Sequence, residues 1–182
     1  MSETTVKGLA ALQAALDQLP AKIEANIMRG ALRAGAKVML DEAKRLAPVS
    51  EPSAENQRLY GGRVGLLRDS IRIKTKLKRG QVTASVVAGG KTKDGGQPFY
   101  ARFVEYGTAA HVIMAGPGKY LPLGNGYLKS VQHPGARPQP FMRPALDMGT
   151  GAAVAAAADY IRQRLATKHG IDVPAPLQDG DE

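Results

Sequence analysis

The sequence predicts an α+β fold with two N-terminal helices, a central antiparallel β-sheet with a basic hairpin, and a C-terminal helix. Three stretches carry that prediction. Apolar residues recur at helical spacing up to Ala47, at a spacing of two between Ile71 and Ala88, and at helical spacing again after Pro144. A period near 3.6 puts residues on one helix face, whereas a period of two puts them on one strand face.

Leu9, Leu12, Leu16 and Leu19 lie at steps of three, four and three, one helix face that stops at Pro20. Ile23, Ile27, Ala31, Ala34 and Val38 set the register of a second helix. It ends near Ala47, because a residue before proline is disfavoured in the α region. Ala31, Ala34, Gly35 and Ala36 make its middle slim, which suits close packing in the core, on a sheet or on a neighbouring subunit. From 48 to 65 the pattern gives way to a long loop rich in Pro, Ser and Gly.

Ile71, Ile73, Thr75 and Leu77 then alternate with Arg72, Lys74, Lys76 and Lys78. After Arg79 and Gly80, Val82, Ala84, Val86 and Ala88 alternate with Thr83 and Ser85. Two alternating runs around a short glycine turn predict a hairpin over 69–77 and 81–88. Phe99, Phe103 and Tyr106 are spaced like a helix, with Gly107 placed to end it at positive φ. Phe103, Tyr106 and Phe141 are expected in the core rather than at an interface. The Gly- and Pro-rich stretch 109–139 reads as a loop or a loose strand pair. Pro144 suits the first turn of a last helix reaching about His169, although Gly149 and Gly151 weaken its start. The organisation is one domain over 1–169 and an acidic, Pro-containing tail, 170–182, expected to be disordered.

Composition narrows the class. The chain has 182 residues and a formal charge of +9, with three Phe and no Trp. Its core is thin for its length, leaving room for stabilisation by partners. Asp172, Asp179, Asp181 and Glu182 crowd the tail without a compensating base, so the folded part is more basic than the total. With no cysteine there is no disulfide framework and no thiolate metal site. No apolar run approaches the ~20 residues that span a bilayer, so no membrane partner is expected.

Catalytic chemistry is not legible. Gly90-Lys91-Thr92 resembles the end of a phosphate-binding loop, but the glycine needed five residues earlier is Ser85. His111, His133 and His169 share no ligand spacing, and nothing brings Asp69 and Glu105 together as an acid–base pair. No enzyme activity, cofactor or metal is expected.

The strongest charge feature is basic. Arg58, Arg63, Arg68, Arg72, Lys74, Lys76, Lys78 and Arg79 fall in a window whose only acid is Asp69. They read equally as a solvated sheet face whose lysines guard an edge and as a surface for DNA or an acidic partner. Arg68, Arg72, Lys74, Lys76, Lys78 and Arg79 are the candidate contacts. No aromatic is interleaved with them, so DNA contact would be to phosphates, without sequence preference.

Four short segments occur in a telling order. After Ala47-Pro48 come Gly65-Leu66-Leu67-Arg68-Asp69-Ser70-Ile71, Tyr100-Ala101-Arg102-Phe103-Val104-Glu105-Tyr106-Gly107-Thr108, and Gln139-Pro140-Phe141-Met142-Arg143-Pro144-Ala145-Leu146. Over about 20–168 the chain resembles the small tail-completion (neck) proteins of siphophages. The positions that carry the likeness include Leu67, Ser70, Tyr100, Glu105, Gly107, Thr108, Phe141, Arg143 and Pro144. Arg68 and Glu105 could pair, or each could bond to a neighbouring subunit. The loops 49–64 and 109–137 are longer than the family's usual links.

The resemblance implies a ring-forming virion subunit of six or twelve copies, assembled in the host bacterial cytoplasm. Its partners would be itself and the head-closure, tail-terminator or tail-tube proteins, with non-specific contact to phage DNA. The alternative is a cytosolic nucleic-acid-binding module that uses the hairpin as a β-ribbon.

Overall fold

The structure is a computed structural model and describes residues 9–17, 19–49, 64–92, 96–123 and 126–173. The acidic tail expected to be disordered lies, from residue 174, outside the described residues, as does most of the loop 48–65. The elements are α1 (Leu9–Leu16), α2 (Ala21–Leu46), α3 (Leu66–Ser70), β1 (Arg72–Lys78), β2 (Gln81–Val87), α4 (Ala101–Tyr106), β3 (His111–Met114), β4 (Leu121–Leu123), β5 (Gly126–Leu128), β6 (Ser130–His133) and α5 (Met142–His169).

Helices α2 and α5 form the frame. They run antiparallel, because Gly30 faces Tyr160, Gly35 faces Ala153 and Gly149 faces Met39. A Cβ added at Gly30 would run into the Tyr160 ring, and one at Gly35 would lie 2.6 Å from the Ala153 carbonyl oxygen. The slim middle of α2 thus serves the chain's own core. The axes come together because α2 presents no bulk there, leaving room for the Tyr160 ring and the Ala153 backbone, and close approach maximises dispersion contact.

Apolar packing gathers at the two ends of this pair. At one end Leu12 and Leu16 of α1 meet Ile27, Ala31, Ala158, Ile161, Leu165 and Val173. Packing therefore runs past Gly170, where the tail was expected to begin, as far as Val173. At the other end Ala43 and Ala47 meet Leu67, Ile71, Ala101, Phe141 and Ala145. α2 stops as Pro48 requires, with Ala47 turning extended at φ −62 and ψ 125.

The hairpin forms as the alternation predicts, with Lys78 opposite Gln81 across a two-residue turn. Arg79 and Gly80 both have positive φ (51° and 79°). That is the turn geometry matching the right-handed twist of the strands, and it admits arginine in the first position at some cost. Ile73, Thr75, Val82, Ala84 and Val86 are half-buried, and both strands pack on α2. The strand starts later than expected. Residues 66–70 make a turn of helix instead, entered through Gly65 at φ 79° and closed by Ser70, whose hydroxyl donates to the Leu67 carbonyl at 2.6 Å.

The expected central sheet is not one sheet. Among the described residues there are three separate two-stranded ribbons: β1–β2, β3–β6 and β4–β5. The last two are nested, β4–β5 lying within the chain between β3 and β6, so the stretch read as loop or loose strand pair forms an arm. Its strands are three or four residues long because Gly116, Pro117, Gly118 and Pro134 interrupt the pairing.

Candidate functional site

The third and fourth family-like segments meet at one carboxylate. Glu105, 4% exposed, accepts the backbone N–H groups of Phe141 (2.8 Å), Met142 (2.9 Å) and Arg143 (3.1 Å). A helix leaves its first four N–H groups without internal partners. In α5 three of them go to Glu105, and the fourth position is Pro144, which has no N–H to satisfy. The acid also meets the positive end of the helix dipole, where a negative charge is stabilised. Burial alone pushes the Glu105 carboxyl up, but the three backbone donors and Arg143 outweigh it and hold it below its ordinary value.

The Arg143 Nε lies 3.5 Å from Glu105, while its guanidinium carbon sits 4.9 Å from the centre of the Tyr106 ring. The suggested Arg68–Glu105 pair does not form. Arg68 is exposed beside Asp69 at 3.9 Å, and the oxygens of Glu105 are taken by backbone.

The neighbouring residues complete a structural joint. Phe141 is fully buried, as expected, and Leu67 is buried with it. Half-buried Tyr100 packs on the same cluster. Gly107 ends α4 at φ 71°, as expected, in a place where a Cβ would lie 2.6 Å from the Ala136 carbonyl oxygen. Thr108 pairs with Ala136 through both backbone bonds, and its hydroxyl accepts the same N–H. The Gln139 N–H donates to the Val104 carbonyl. Buried Ser70 donates to Leu67 and accepts from the Gly89 N–H at 2.9 Å, tying α3 to the chain beyond the hairpin. Each of these bonds is made within the chain.

The candidate basic contacts divide. Lys74, Lys76 and Lys78 stand on the exposed face of the hairpin opposite Ser85, Thr83 and Gln81, with Arg79 exposed at the turn. Arg72 is different. It is half-buried, and its guanidinium donates to the carbonyls of Ser70 (3.0 Å) and Gly89 (2.6 Å), so it braces the base of the hairpin. Arg68 lies before the hairpin, on α3.

Phe103 (49% exposed) and Tyr106 (61%) are not in the core, contrary to expectation. Helical spacing shows that they share a face but not which way it points. Two turns of helix this short bury one side, and Ala101 and Glu105 occupy it. The two rings line a groove with Arg102, His111 and His133. The histidines pair across β3–β6 with ring centres 5.0 Å apart. Beyond them the arm exposes Met114 (76%), Tyr127 (75%), Val112, Tyr120 and Leu128.

A family model described as "Bacteriophage HK97-gp10, putative tail-component" matches residues 10–107. The chain belongs to that family. No curated protein and no solved structure matches it. The match to the HK97-gp10-like family takes in α1 to α4 with Glu105, the clamp residue, and ends where the arm begins. Among the described residues no helix is long and apolar enough to cross a membrane, and no group of three His, Asp or Glu side chains is placed to hold a metal.

Sequence reasoning missed the exposed side of the HK97-gp10-like chain: Phe99, Val112, Met114, Tyr120, Tyr127 and Leu128. A signal for it exists. From Tyr106 to Leu146 there is no Asp or Glu, yet large apolar residues recur among glycines and prolines. A long loop that keeps large apolar groups without the charges that solvate a surface is a candidate binding element.

Proposed function

We propose that this HK97-gp10-like protein is a non-enzymatic structural subunit of a ring at the head–tail junction, joining tail to head while DNA passes through. The observation that supports this most is the distribution of large apolar groups. Phe99, Met114, Tyr120 and Tyr127 are exposed, while the middle of the α2–α5 pair is packed with alanine and glycine. Large apolar residues left exposed in number along one short stretch of chain support a protein interface. A ring subunit needs two different contact surfaces, one for each neighbour, because ring contacts are head-to-tail. Six or twelve copies is the number the sequence resemblance implies.

The lysine face of the hairpin supports the passage of DNA. Lys74, Lys76 and Lys78 project together from one strand with Arg79 at its end. Phosphate contacts of this type are sequence-independent and individually weak, which favours sliding over retention. The test changes the three lysines together to glutamine and scores particle joining and DNA delivery separately. Joined particles that fail in DNA retention or ejection support a lumenal face. Intact heads and tails that fail to join indicate an acidic protein partner. Wild-type infectivity would show that the lysines only solvate and guard an edge. Tight DNA binding by a purified monomer, steeply reduced by salt, would favour the alternative of a nucleic-acid-binding module.

A further inference from the structure

We propose that the groove between α4 and the root of the arm receives the segment Pro174–Glu182 of a neighbouring copy. This deepens the ring reading by naming one of its contacts, and so rests on it. The groove is aromatic and basic. Phe103 and Tyr106 form one wall and the His111–His133 pair the other, with Arg102 at its edge and Arg143 stacked on Tyr106. The segment reads Pro-Ala-Pro-Leu-Gln-Asp-Gly-Asp-Glu. Closely spaced prolines bias a chain toward the polyproline conformation, which docks in aromatic-lined grooves at little entropic cost. Asp179, Asp181 and Glu182 supply the charge that Arg102 and Arg143 lack on their exposed side.

The same chain cannot make this contact. Val173 is packed beside Leu165, whereas the groove adjoins Arg143, twenty-two residues away along α5. At 1.5 Å per residue that separation is about 33 Å. From Val173 the proline part, Pro174 to Leu177, extends at most about 14 Å and Glu182 at most about 32 Å, so the same chain cannot lay this segment along the groove. A donor at one end of the frame and a groove at the other, joined only between copies, is a head-to-tail contact. A neighbour's arm is a poorer occupant, because the arm carries Lys119 and Lys129 and no acid, and the groove is already basic.

The experiment uses the full-length protein. Oligomeric mass against concentration is measured by light scattering for the wild type, for Arg102→Glu, for Asp179→Lys with Asp181→Lys, and for all three changes in one chain. A labelled peptide of residues 171–182 is titrated in parallel. The contact predicts that each separate variant weakens self-association and that the combined chain recovers it. It also predicts that the peptide binds saturably and that Tyr106→Ala weakens that binding about tenfold or more, as truncation of an aromatic anchor does. Binding of the peptide to a protein that stays monomeric would keep the contact and sink the ring. Oligomers indifferent to every variant, with no peptide binding, would overturn the inference and leave the ring standing. Oligomers abolished by Tyr127→Ser but not by the tail changes would put the arm in the groove instead.

Discussion

The frame and the arm use opposite building materials. Midway along the α2–α5 pair the buried residues are Ala31, Gly35, Ala36, Ala153 and Ala158, with the Tyr160 ring seated over Gly30 and the larger Ile27, Ile161 and Leu165 buried toward one end. In the arm and on α4 the residues are Phe, Tyr, Met and Leu, and they face water. A monomer selected for its own stability would put its rings inside, since burying one yields roughly 1.5–3 kcal/mol. This chain holds the middle of its frame together by closeness of approach and leaves exposed five of the eight Phe and Tyr rings among its described residues. The difference separates the residues that hold the fold from those left exposed for the contacts proposed above.

Several changes can break that separation. The largest effect is expected at Glu105. Glu105→Ala strands three N–H groups at the start of α5 and should cost about 2–4 kcal/mol in urea unfolding. Glu105→Gln should fall between it and the wild type. The folded-state carboxyl titrates below its ordinary value of 4.5. Its contribution is therefore full above the unfolded-state value and is lost as the pH falls through the lower folded-state one. Stability of the wild type should drop across that acid range, and Glu105→Gln should flatten the drop. An unchanged acid limb in Glu105→Gln would show that another group controls it.

Gly35→Ala tests the frame. Alanine is the better helix former by about 1 kcal/mol, but its Cβ would meet a backbone oxygen, and overpacking costs about 1–3 kcal/mol. A net loss in thermal unfolding is expected, and a gain would mean that the helices can move apart freely. Ser70→Ala should cost about 1–2 kcal/mol by leaving the buried Gly89 N–H unpartnered. The smallest folding effect is expected in the arm. Tyr127→Ser and Met114→Ser should leave monomer stability within about 0.5 kcal/mol of the wild type, as exposed changes do, while reducing particle assembly. Loss of both stability and assembly would show that the arm packs on its own domain.

Much of this was readable in advance. Period alone located α2, α5 and the hairpin, because each is long enough to show several repeats of its apolar face. The arm was not, because strands of three or four residues carry one or two inward positions, too few to establish alternation. Ser70 and Glu105 stood out as motif positions, yet their roles were hidden. Both bond to backbone groups remote in sequence, 19 residues away for Gly89 and 36 for Phe141, and backbone partners leave no mark in side-chain patterns. Tyr106 had the right spacing for either side of a helix, and the choice fell to Glu105, whose carboxylate had to reach the start of α5. Arg72 read as one of four strand cations and turned out to be a brace, since only its position next to Ser70 and Gly89 distinguishes it.

The α2–α5 pair also has a mechanical meaning. At 1.5 Å per residue the two helices are about 39 and 42 Å long, and they lie against each other over much of that length. Sliding one past the other would drag the Tyr160 ring out of the notch at Gly30 and the Ala153 carbonyl across the notch at Gly35. The pair behaves as a keyed strut, stiff against shear along its axis. In the ring proposed above, axial load would pass through such a strut without changing the spacing of the surfaces at its two ends.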